Sequence, residues 1–262
     1  MRDTAVHRGL LASPLAQRNL VLALLLATAA SCWAWLFLVP GGGVAGMEGG
    51  DTGRMTASPT MGMAAPAFLI MWAAMMAAMM FPTASPMVLA FHRIQSGKRE
   101  RGEAFVSTWL FVAGYIAVWA AAGLIAYSAA LMAERLAQLV GLTAEGAARL
   151  GGGLLIASGL YQLTPLKNMC LSKCRSPIGF ILTAWREGRS GALRMGAVHG
   201  ATCLGCCWML MAILFPLGLM DLTLMALVTL AIFAEKVLAW ERIAVYGTAA
   251  VLGSAPDLEV QT

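Results

Sequence analysis

Residues 195–209 read MGAVHGATCLGCCWM, an apolar run interrupted by His199, Cys203, Cys206 and Cys207. At 3.6 residues per turn, those four fall at roughly 0°, 40°, −20° and 80° on a helical wheel, so a helix carries all of them on one face. Soft metal donors stand where a membrane helix is expected.

The whole chain supports that setting. Of its 262 residues 60% are hydrophobic and 12% charged, a balance that points to an integral membrane protein and away from a soluble enzyme. The net charge of +5 does not imply nucleic acid, because the Lys and Arg residues occupy short connections between apolar runs, where they orient a protein against a bilayer. Five of the six cysteines lie within residues 170–207. A disulfide scaffold would spread them through polar loops, so metal binding or thiol chemistry is the better reading.

Six apolar runs approach the roughly 20 residues that span a bilayer: 20–39, 66–91, 105–132, 147–164, 195–217 and 219–239. The expected fold is therefore an all-α polytopic membrane bundle of about six transmembrane helices, with a short interfacial amphipathic helix after Ser176-Pro177. In that helix Ile178, Ile181, Leu182 and Trp185 oppose Thr183, Arg186 and Glu187, and Gly188 is expected to end it. Residues 1–18 form the leading segment, 19–242 the bundle and 243–262 a short tail. A lipoprotein leader cut before Cys32 competes with the first span, but residues 33–39 stay apolar, against cleavage.

Two connections stand out. Residues 40–65 are Gly-rich and hold Met47, Met55, Met61 and Met63, whereas 165–194 hold Cys170, Cys174 and six Lys or Arg residues. Counted by side, the leading segment, second and fourth connections and C-terminal end carry 3, 4, 6 and 2 Lys or Arg, against 1, 2 and 0 in the alternate ones. The bias places both termini and the 165–194 connection in the cytoplasm.

In the second span Met71, Met75 and Met79 are four apart, as are Met76 and Met80, giving two adjacent rows of thioethers. Pro82 and Pro86 follow and are expected to kink or break the helix, freeing carbonyls that need partners. Methionine fills irregular cores, so the rows alone are most simply packing. Together with the thiol cluster they favour Cu(I), with Zn(II) second, because thioether and thiolate both select Cu(I) while zinc gains nothing from methionine. Gly196 and Gly200 flank His199 and allow a second backbone close approach. Glu235 and Lys236 read most simply as a bilayer-edge carboxylate and a snorkelling ammonium.

Residues 71–82 (MWAAMMAAMMFP), 165–174 (PLKNMCLSKC) and 199–208 (HGATCLGCCW), with Glu235-Lys236, together resemble a bacterial family described as predicted metal-binding integral membrane proteins. The resemblance spans about residues 70–240. It implies a multi-pass protein of the bacterial plasma (inner) membrane with metal-binding cysteines, and no particular reaction.

The expected function is binding of a soft ion, Cu(I) foremost, for transport across the plasma membrane or delivery at it, ahead of an enzymatic role. The metal donors are Cys170, Cys174, His199, Cys203, Cys206 and Cys207, with Met71, Met75, Met76, Met79 and Met80 as a weaker route. Expected partners are the bilayer, the ion, a metal-accepting protein or membrane complex, and no nucleic acid; self-association is left open. Two other classes fit the same residues: a membrane thiol-disulfide oxidoreductase using Cys170/Cys174 and Cys203/Cys206, or a structural subunit with a zinc clamp.

Overall fold

The computed structural model describes residues 14–38, 60, 62–217, 221–237 and 245–250. Met47, Met55 and Met61 of the outer connection, and most of the leading segment and tail, lie outside the described residues. Those described form helices and no strand: α1 (Pro14–Leu38), α2 (Ala65–Glu100), α3 (Thr108–Leu139), α4 (Ala144–Gln162), α5 (Pro165–Arg175), α6 (Pro177–Ala184), α7 (Gly188–Ala212), α8 (Leu214–Leu217) and α9 (Leu222–Val237). The protein is an all-α membrane helix bundle. Residues 15–38, α2, α3 and the run 188–217 are long and apolar enough to cross a bilayer. The other two expected spans coincide with the 19-residue α4 and the 16 described residues of α9. Large apolar side chains such as Ile70, Ile125, Leu160 and Leu182 stay exposed on the bundle's outside, as hydrocarbon solvent requires.

Several helix starts follow from local chemistry. The hydroxyls of Ser107, Thr143, Thr164 and Ser176 accept from the backbone N–H of Trp109, Gly146, Lys167 and Gly179, and prolines open α5 and α6. Of the kink or break expected at Pro82 and Pro86, the break does not occur; α2 runs through both. A proline at 82 leaves the Ala78 carbonyl without its usual donor, and Trp33 Nε1 of α1 donates to it at 3.2 Å. Pro86 likewise frees the Pro82 carbonyl, which accepts from Ser85 Oγ at 2.8 Å. Side chains thus replace the missing amides, and the helix stays whole.

The polar connection expected at 92–104 is helical as far as Glu100. Its end is tied to the start of α3 by His92 Nδ1 against Thr108 Oγ1 at 3.0 Å, and to the residues leading into α3 by Gln95 Oε1, which accepts from Val106 N at 2.9 Å. Beyond it, Lys98 pairs with Glu187 at 2.6 Å and lies over the Trp185 ring. This junction marks the basic end of the bundle.

α3 and α7 run parallel in closest contact. A Cβ added at Gly196 would fall on the Phe111 carbonyl, one at Gly114 on that of Leu193, and one at Gly200 would stand 3.1 Å from that of Tyr115. The close approach expected of Gly196 and Gly200 is made to α3. It exposes neither helix's missing Cβ to solvent and aligns Tyr115 with the cysteine face of α7.

The segment 165–194 differs most from expectation. Besides the helix expected after Ser176-Pro177, here α6, it holds α5 and the beginning of α7, which starts at Gly188, seven residues before the expected position. Gly188, at φ +79°, opens that helix instead of closing the amphipathic one, which already ends at Ala184. Phe180 and Ile181 of α6 are buried in the bundle while Ile178 and Leu182 face outward. α5 packs along α7 and α9, so α4, α5 and α6 form one segmented run alongside α7.

Candidate metal centre

The cysteine face of α7 is turned inward: Cys203, Cys206 and Cys207 are buried, each 1–2% exposed. Cys203 lies fifteen residues beyond Gly188, or about 22 Å along the helix, so its sulfur sits in the bundle's interior. Cys206 and Cys207 both direct their Sγ toward the Cys203 carbonyl, at 3.1 and 3.0 Å. α5 brings Cys174 Sγ to 4.0 Å from Cys206 Sγ. Cys170, one turn earlier, rests against α7 at Gly205, where a Cβ would stand 2.9 Å from its sulfur. Tyr161 secures that contact by donating to the Gly205 carbonyl at 2.5 Å. All the described cysteines are free thiols.

Two residues not expected at the site face Cys203 Sγ. Lys236 Nζ donates to it at 3.0 Å, and the Tyr115 hydroxyl lies 3.2 Å away. Lys236 is therefore no snorkelling surface lysine, nor is Glu235 a bilayer-edge carboxylate. Glu235 is 2% exposed and pairs at 2.7 Å with Lys167, which is fully buried. Arg175 also donates to the Glu235 carbonyl oxygen at 2.8 Å. A buried ion pair contributes little net stability but is costly to break from one side, so it fixes α5 against α9. That geometry sets both Cys174 and Lys236 beside the α7 cysteines. Lys236 was visible in the sequence as a charge in an apolar run; for Tyr115 no sequence signal existed.

His199 occupies the same face one turn before Cys203 but does not join the thiols. Its ring packs against Phe111, Tyr115 and Phe180, with centroids 5.9, 5.5 and 5.6 Å away. Neither ring nitrogen has a hydrogen-bond partner among the described residues. Met71, Met75, Met76, Met79 and Met80 are all buried, in the same core cluster as Cys203, Cys206 and Cys207. Met63 packs at that cluster's edge.

Two sulfurs sharing one ion at about 2.3 Å each stand no more than about 4.6 Å apart, so the 4.0 Å between Cys174 and Cys206 fits a common ion. Among the described residues no three His, Cys, Asp or Glu side chains form a completed metal-holding group. Cys174 faces Cys206 and not Cys170, the partner that the oxidoreductase reading gives it.

Fold and site together define a polytopic helical membrane protein with thiols and thioethers gathered in its core. Residues 69–256 match the PpoB2 family, described as a copper chaperone. The match covers well over half of the chain and every described cysteine except Cys32; the chain belongs to this family. Its metal chemistry is thus copper-related, and zinc finds no support. No curated protein and no solved structure matches the chain.

Proposed function

We propose that this chain takes Cu(I) into its helix bundle on the buried thiols and hands it on, across the plasma membrane or to an acceptor at its surface. The supporting observation is the 4.0 Å pair of Cys174 and Cys206 beside Cys203, in a member of a copper-chaperone family. Thiolates hold a soft monovalent ion firmly, and an apolar wall excludes water and oxidants from it. Cys170 and Cys207 complete the thiol set, and His199 is the next donor toward the basic end. The rows Met71/Met75/Met79 and Met76/Met80 supply neutral, weaker donors for the approach. The Lys and Arg bias supports an orientation with the basic end and both termini in the cytoplasm of a bacterial cell.

Copper binding by the purified protein under anaerobic conditions tests the reading. Cys203→Ser and Cys174→Ser should each lower Cu(I) affinity by about tenfold or more, and the double variant should lose less than the sum, because ligands of one ion act as a unit. Wild-type affinity in both single variants would reduce the cluster to packing.

A further inference from the structure

His199 is 3% exposed, with neither ring nitrogen hydrogen-bonded among the described residues. Burying a polar ring without a partner is unfavourable, so the site must compensate in another way. The thiols do not, since the ring is held by three aromatic side chains one turn away from Cys203. Along the same stripe of α7, Met195 lies four residues before His199 and Cys203 four after, each step about 6 Å. Met195 and Met87 of α2 are each 1% exposed. Both belong to the packed cluster that contains Phe111 and Phe180, two of the rings around His199. This cluster is separate from the one holding the cysteines and the other buried methionines of α2.

We propose that His199, Met195 and Met87 form a second soft-ion site, lying between the thiol cluster and the basic end, that receives Cu(I) from Cys203. The inference rests on the copper reading above. An imidazole nitrogen and two thioethers are uncharged donors suited to Cu(I). They hold it less firmly than thiolates, as a relay site requires. Transfer is ligand exchange without electron transfer: a copper–sulfur bond to Cys203 breaks as a copper–nitrogen bond to His199 forms, and the ion remains Cu(I). The backbone approach at Gly196 and Gly200 walls this stripe with α3.

Anaerobic titration with Cu(I) against a competing chelator, followed by copper X-ray absorption at one and two equivalents, tests the site. The wild type should bind a first ion with sulfur neighbours only and a second, weaker ion with a nitrogen neighbour. Met87→Leu/Met195→Leu nearly conserves side-chain volume. It should leave the first ion unchanged and weaken the second by about tenfold or more. His199→Gln, checked for folding by size-exclusion and thermal melting, should remove the nitrogen signal. Unchanged second-ion affinity in the methionine double variant overturns the proposal. So does nitrogen at the first ion, which would place His199 in the thiol site and leave the copper reading standing. Absence of any Cu(I) binding by the wild type overturns both.

Discussion

Pro82 removes the amide that would meet the Ala78 carbonyl, and a side chain from another helix, Trp33, takes its place. The need for a donor was legible in the sequence, but its source was not, because nothing in residues 14–38 links Trp33 to a carbonyl 45 positions later. Trp33→Phe should destabilise the bundle by about 1–2 kcal/mol, the usual cost of leaving such a carbonyl unpaired. Pro82→Ala restores the N–H, so the same Trp33→Phe change made in that background should cost less, and thermal melting of the four proteins in one detergent reads the difference. An equal cost in both backgrounds would mean that Trp33 contributes packing only. The same limit explains Lys236: its charge was plain, yet whether it reached the surface or a sulfur depended on α9 crossing beside α7. His199 shows the opposite case: its type singled it out as a donor, and its neighbours are aromatic rings and not the expected thiols.

Elements were readable where hydrophobic runs are long and unbroken. The first three spans, the Ser176-Pro177 helix start and the backbone approach at Gly196 and Gly200 all stand where composition, capping and small-residue spacing put them. The rest of segment 165–194 failed this test because its charges were read as solvent-facing. Lys167 is neutralised by Glu235 from a helix 68 residues away, so a polar sequence can lie in the interior once its partner is in place. Arg189 and Arg194 fall in the early turns of α7 near the basic end, which is why a boundary drawn by apolarity began that helix too late. The segmentation of α4, α5 and α6 has a consequence for the site. A straight transmembrane helix would pass α7 once, whereas the separate α5 can direct Cys170 and Cys174 at Gly205 and Cys206 while α6 supplies Phe180 to His199.

At the scale of the whole molecule, orientation and route are linked. Lys98 and Glu187 join the second and fourth connections at one end, in keeping with their assignment to one side of the membrane. Reporter fusions after residue 98 should be active in the cytoplasm, and fusions after residue 50 should report the periplasm; the reverse pattern would invert the proposed direction of copper movement. The route itself turns on the methionine rows, which lie on α2 in the same core as the α7 cysteines, away from the Lys98 end. Replacing Met75 and Met79 together by Leu keeps hydrophobicity and nearly the same volume, a swap that usually costs less than about 1.5 kcal/mol. A loss beyond slight destabilisation must then come from the missing sulfurs. The double variant should load copper slowly at limiting supply, yet reach the wild-type copper content when the ion is in excess, because the thiols that hold it firmly are intact. Copper uptake into membranes with matched protein levels measures this directly. Wild-type loading kinetics would make Met75 and Met79 core packing alone and leave the thiols to be reached by another path.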